Sequence, residues 1–139
     1  MKYLLALSVL VLLLYPLTGV AEPSEVKLLT PEETLSTYIN ALREGNLNKV
    51  LQCYYSEDRD FRFYLPGPIK IEKYVIIRKK IHTEKMARGY KPIPTAKAGD
   101  VEFEVIEFLQ GKDEMFTYLL RKIGKEWRII SHSGWNQPD

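Results

Sequence analysis

Two consecutive short amphipathic helices with marked boundaries are written into Thr30 to Tyr55 (TPEETLSTYINALREGNLNKVLQCYY), and this stretch limits the possible folds more than any other. The hydroxyl of Thr30 can accept from the N–H three residues on, Glu33 can reach back to the N–H of Thr30, and Pro31 fills the first helical position, where no donor is needed. A helix starts here. Leu35, Tyr38, Ile39 and Leu42 then fall at i, i+3, i+4 and i+7 on one face, and Gly45 can adopt the left-handed backbone that ends the helix. Asn46 offers a second N-cap, and Leu47, Val50, Leu51 and Tyr54 repeat the spacing before Ser56-Glu57-Asp58 closes it. Helices joined at a tight Gly-Asn corner must share one apolar layer.

The segment ahead of these helices has the pattern of an export signal. Lys2 gives a positive start, Leu4 to Leu14 form an apolar run of 11 residues, and Gly19-Val20-Ala21 supplies small residues where a signal peptidase reads. Residues 1–21 are therefore expected to be a signal peptide cleaved after Ala21, giving an exported, periplasmic or secreted protein. The alternative is an uncleaved anchor, but a spanning helix needs about 20 apolar residues and Pro16 interrupts the run. No membrane span is expected after cleavage. Removing 21 of 139 residues leaves 118, enough for one domain with a core, expected over 30–133 behind a linker at 22–29 and ahead of a tail at 134–139.

Only Lys2 leaves with the signal, so 19 Lys and Arg face 18 Asp and Glu, and the near-neutral balance argues against nucleic acid as a partner. The charge is nonetheless uneven, with nine basic residues against Glu72 and Glu84 in 70–97. Such a segment suits an anionic surface. Alternatively, if the strand containing Arg78 and Lys80 pairs near Val101 to Phe108, then Glu102 and Glu104 share its polar face and neutralise it. Cys53 is the only cysteine, so no intrachain disulfide can form, and a buried inert thiol is its expected state.

Beyond the helices the apolar period falls from 3.6 to 2. Ile69, Ile71, Val75, Ile77 and Ile81 alternate with Lys70, Glu72, Arg78, Lys80 and His82, which predicts a strand with its odd positions inward. Val101, Phe103 and Val105 alternate with Glu102 and Glu104, after which Ile106 and Phe108 suggest a bulge that shifts the phase. Turns at Gly111-Lys112-Asp113 and Ile123-Gly124-Lys125 separate strands carrying Phe116, Tyr118 and Leu120, then Trp127 and Ile129. Residues 83–100, with Pro92, Pro94 and Gly99, read as a long connection. The expected architecture is α+β, a helix pair packed on a curved antiparallel sheet.

This element order resembles the nuclear transport factor 2-like superfamily, a cystatin-like α+β cone. Its ketosteroid isomerase and polyketide cyclase branch opens in a way similar to TPEETLSTYINALREGNL running into LNKVLQCYYSED, and YLLRKIGKEWRIISH is similar to the last hairpin of many members. The two segments span about 40 residues of the chain. The resemblance implies a cavity between the first helix and the sheet, for which Tyr38, Tyr54, Phe63, Phe103, Tyr118 and Trp127 are the lining candidates; the alternative is a core packed solid. It also implies homodimerisation through the open sheet face.

For chemistry, the resemblance places Tyr38 where the isomerases use a Tyr to donate to a developing oxyanion. Their base is an Asp on the first strand after helix two, and the best register of Asp60-Phe61-Arg62-Phe63-Tyr64 sets Phe63 there. Their second acid meets Thr117 or Tyr118. Two of three catalytic positions thus depart from the pattern. Tyr38, Asp60 and His132 stay as catalytic candidates, while His82 and His132 are both placed on the polar phase of their strands. No metal-ligand spacing, phosphate loop or nucleophile elbow occurs, so neither a metal nor a cofactor is expected. The leading expectation is an exported, non-catalytic domain that binds a small molecule or a protein, with an isomerase, cyclase or dehydratase built on Tyr38 as the alternative.

Overall fold

The computed structural model describes residues 26–89 and 96–135. The expected signal peptide, the first residues of the linker, the tail beyond 135 and the Pro92 and Pro94 part of the connection lie outside them. Helix α1 spans Pro31–Glu44 and α2 spans Leu47–Cys53; strand β1 is Ile71–Ile81, helix α3 is Glu84–Gly89, and β2 (Val101–Leu109), β3 (Lys112–Ile123) and β4 (Glu126–Trp135) follow. The strands form one antiparallel sheet in the order β1-β2-β3-β4. The fold is α+β, with helices packed on a four-stranded antiparallel sheet. Among the described residues no helix is long and apolar enough to cross a membrane.

Local chemistry sets the helix ends. The Glu33 N–H donates to Thr30 Oγ1 at 3.1 Å and the Thr30 N–H donates to Glu33 Oε2 at 3.1 Å, a reciprocal capping box. At the other end Gly45 has φ +67°, and the N–H groups of Gly45 and Asn46 reach Leu42 O and Ala41 O, a Schellman arrangement. A Cβ at Gly45 would also stand 2.8 Å from Pro68, so glycine is required twice over. Asn46 caps α2 by accepting from the Lys49 N–H at 3.1 Å.

Leu35, Tyr38, Ile39 and Leu42 are all buried, and they meet Val101, Phe103, Val105, Tyr118, Leu120 and Ile129 on the inner face of the sheet. On α2 the buried residues are Val50 and Cys53, whereas Leu47 and Leu51 are exposed. The expected linker is partly docked: Val26 packs on the core, and Leu28 is buried with its carbonyl accepting from the Trp127 N–H. Strand β4 runs on through Gly134 to Trp135, into the expected tail.

Several expectations about the sheet are corrected. Residues 60–64 form no strand: Asp60 lies in a turn, and 61–64 have no regular structure, with Phe61 and Phe63 half-buried and Arg62 and Tyr64 exposed. In β1 the odd position Ile71 is buried as expected, but beyond it the inward positions are Tyr74 and Ile76, while Val75 and Ile77 are about half exposed at 46% and 47%. Irregularities at Ile71/Lys73 and Ile76/Arg78 reset the phase, and a one-residue reset exchanges the faces. No such shift occurs at Ile106 in β2, whose pairing with β3 runs unbroken from Val101 to Leu109. The inward phase therefore continues to Glu107. The 83–100 connection also carries α3, where Ala87 and Ala96 pack on Leu119 and Ile130, on the opposite face from the main core.

Candidate functional site

A carboxyl group sits at the inner end of the site because of strict alternation. Val101, Phe103 and Val105 point inward, so Glu107 does too, and it is only 3% exposed. Strand β3 supplies its partner on the same face: Tyr118, 1% exposed and registered opposite Phe103, donates its hydroxyl to Glu107 Oε1. Burial pushes the Glu107 carboxyl above the ordinary carboxylate value; the Tyr118 hydrogen bond and the charge of Arg43 pull it back, and Glu114 adds to the rise. The Tyr118 hydroxyl is itself driven well above its usual value by burial and by Glu107.

Irregular pairing in β4 supplies the next group. Between Leu119 and Leu120 the β3/β4 register slips: Ile129 faces the main core, Ile130 packs on the opposite face, and His132 comes round beside Tyr118. The His132 ring stacks on Tyr118 with centroids 5.8 Å apart and lies 6.3 Å from Tyr38. Its Nδ1 is hydrogen-bonded to the Tyr54 hydroxyl. The residue keeps an exposed edge, yet enclosure by these rings holds its pKa below the usual imidazole value. At neutral pH it is an uncharged imidazole. His132 is thus not on the polar phase. His82 is not solvated either: it is buried, with Nε2 at 3.0 Å from Glu102 Oε2.

Tyr38 on α1 joins the two halves. Its ring makes edge contacts with Tyr54 at 5.5 Å, Tyr118 at 5.8 Å and Phe63 at 6.5 Å, and burial raises its hydroxyl pKa. Between this cluster and the segment at 63–71 lies a cavity of about 220 Å³, bounded by Tyr38, Phe63, Glu107, Phe116, Tyr118 and His132 among others. A water's share of liquid volume is about 30 Å³, so the space holds a ligand the size of roughly seven waters. A wider hollow of about 320 Å³ adjoins it through Phe63 and His132, walled by Tyr54, Tyr55 and Phe61.

Of the expected lining residues, Tyr38, Phe63 and Tyr118 bound the inner cavity and Tyr54 bounds the outer hollow. Phe103 is packed into the core at 1% exposure. Trp127 lies against the core near Leu28 and Thr34, whose hydroxyl donates to the Trp127 carbonyl at 2.9 Å. Asp60 is exposed in a turn, its N–H donating to Asp58 Oδ1, and takes no part in the cavity. Glu107 was missed because the apolar Ile106 and Phe108 around it suggest a phase change. Unbroken period-2 counting from Val101 would have found it.

Elsewhere the structure neutralises charge. Arg78 pairs with Glu104, Lys79 with Glu32, and Lys80 with Glu102 at 2.9 Å, which occupies the central cations of the basic segment. Burial would raise the Glu102 carboxyl, but hydrogen bonds from Lys80 and His82 outweigh it and hold the group below its ordinary value. Asp100, buried, accepts from Arg121 Nε and Nη2 at 2.9 and 2.7 Å and from the Lys97 N–H at 2.7 Å. Cys53 is fully buried and burial pushes its thiol up to about 12. Among the described residues no group of three or more His, Cys, Asp or Glu is arranged to hold a metal ion. Among known protein families, curated proteins and solved structures, none matches this chain.

Proposed function

We propose that the chain is an exported nuclear transport factor 2-like domain that binds a small molecule in the cavity between α1 and the sheet, without turning it over. One observation carries this reading: the cavity of about 220 Å³ is apolar around most of its wall and has one buried carboxyl–hydroxyl pair, Glu107 with Tyr118, at one side. Pockets that select small ligands combine apolar walls with a few placed polar groups. The order of elements and the α1–sheet cavity support the family reading.

The test is a set of heteronuclear NMR titrations of the mature chain with phenol and cyclohexanone, followed by the cavity-filling variant Leu109→Trp. Binding at the cavity shifts the resonances of Glu107, Tyr118 and Phe116, and the variant loses those shifts while keeping the rest of its spectrum. Neither compound shifting these resonances at millimolar concentration would overturn the reading.

Glu107 favours a second reading, a proton-transfer enzyme. Its raised carboxyl, the neutral imidazole of His132 and the hydroxyl of Tyr38 lie around one cavity, the residue types that abstraction beside a carbonyl requires. Such an enzyme exchanges the α-protons of cyclohexanone for deuterium in heavy water, and Glu107→Gln and Tyr38→Phe each abolish the exchange. Equal exchange in wild type and both variants removes it.

A further inference from the structure

The sign of the charge around the cavity is one-sided. Glu107 lies in its wall and Glu114 also borders it, while among the described residues no Lys or Arg does. Arg43, whose charge acts on Glu107, spends its donors elsewhere: its Nε donates to Ile71 O at 2.8 Å, its Nη2 to Glu72 O at 3.2 Å and its Nη1 to Asn40 Oδ1 at 3.1 Å. Aromatic rings form much of the remaining wall, with Tyr38, Phe63, Phe116 and Tyr118 contributing. An aromatic face carries a negative quadrupole and attracts a cation within about 6 Å of its centre, by about 2 kcal/mol or more where water is excluded. An anion placed here would meet the buried carboxyl of Glu107, beside which the described lining places no Lys or Arg; Glu114, at the rim, is paired with Lys112. We infer that the cavity recognises a small organic cation, an alkyl- or methylated ammonium group, held between the carboxyl of Glu107 and the rings of Tyr38, Phe63, Phe116 and Tyr118.

This inference rests on the ligand-binding reading and adds the ligand's chemical class. Glu107 Oε1 accepts from Tyr118, and Oε2 is the oxygen assigned to the ammonium group. The groups facing Glu107 are Tyr118 and Glu114 from β3, Arg43 and Tyr38 from α1, and His132 from β4. In the empty cavity burial favours the protonated acid. A bound cation reverses that preference, because its charge stabilises the carboxylate, so binding releases a proton and affinity rises with pH through the Glu107 titration.

Choline, its neutral isostere 3,3-dimethylbutan-1-ol and the anion 3,3-dimethylbutanoate separate charge from shape. Calorimetric titration of the mature chain near pH 7.5 is expected to give choline at least tenfold tighter binding than the isostere, and none for the anion. Repeated at lower pH, the choline affinity is expected to fall as Glu107 takes up its proton, while the isostere's does not. Glu107→Gln, which keeps volume and hydrogen-bonding capacity, removes the preference for choline over the isostere; Glu114→Gln lowers it by a smaller factor. Isostere binding as tight as choline overturns the cation inference while leaving the cavity reading intact. No binding by any of the three, together with no phenol or cyclohexanone shifts, overturns both.

Discussion

The Tyr118–Glu107 pair makes a quantitative prediction because both partners are almost wholly buried, at 1% and 3% exposure, and are joined by one hydrogen bond. Tyr118→Phe leaves a carboxyl in the interior without its donor, and Glu107→Leu leaves a phenol without its acceptor. Each single change should cost about 1–3 kcal/mol, the penalty for an unsatisfied buried group. Replacing both by apolar groups removes the orphan, so the double variant Tyr118→Phe/Glu107→Leu should cost less than the sum by about 1–3 kcal/mol. Urea unfolding followed by circular dichroism reads this directly. With a slope of about 2 kcal/mol per molar, the middle of the range for a small domain, each single variant lowers the midpoint by about 0.5–1.5 M. The double variant should lie no lower than the worse single. Strictly additive losses would falsify the reasoning, since they would mean that the two groups do not depend on one another.

Three further outcomes follow from the geometry. Because the folded chain holds the Glu107 proton more tightly than the unfolded chain, this group's contribution is complete below the ordinary value of 4.5 and is lost as pH rises through its raised native value; Glu107→Gln should flatten that part of the stability–pH curve, and an unchanged curve would contradict it. Gly45→Ala should cost about 1–3 kcal/mol in a thermal or urea melt, combining the positive φ with the 2.8 Å approach to Pro68, and a neutral result would show that the corner relaxes freely. Asp100→Ala, which strips Arg121 of its buried partner, should destabilise by about 3–5 kcal/mol in the same assay, with a loss under about 1 kcal/mol counting against a buried pair.

Local chemistry made the helix pair legible. Thr30, Glu33, Pro31, Gly45 and Asn46 act on backbone groups within five residues of themselves, so their effect can be read from spacing alone. The turn at Gly124-Lys125 was legible for the same reason; the one expected at Gly111-Lys112-Asp113 falls earlier, at Gln110-Gly111, with Lys112 and Asp113 already paired in β3, and both glycines take positive φ. The 60–64 segment misled because alternating Phe61, Phe63 and Leu65 looks the same whether the chain pairs in a sheet or merely lies along the core. Short helix α3 escaped notice because it buries no residue fully and so carries no apolar stripe.

The sequence by itself determined the α+β order of elements and the capped helix pair, and it pointed to Tyr38, Phe63 and Tyr118 among the aromatic residues of the cavity wall, because propensity, capping and periodicity are local. Tertiary structure alone decided which face each strand residue occupies. The register irregularities in β1 and in the β3/β4 pair turned Tyr74 and Ile76 inward and brought His132 round to Tyr118, while their absence from β2 left Glu107 pointing into the core. A strand's faces exchange with a one-residue slip, and the slip is set by pairing with a neighbour distant in the chain.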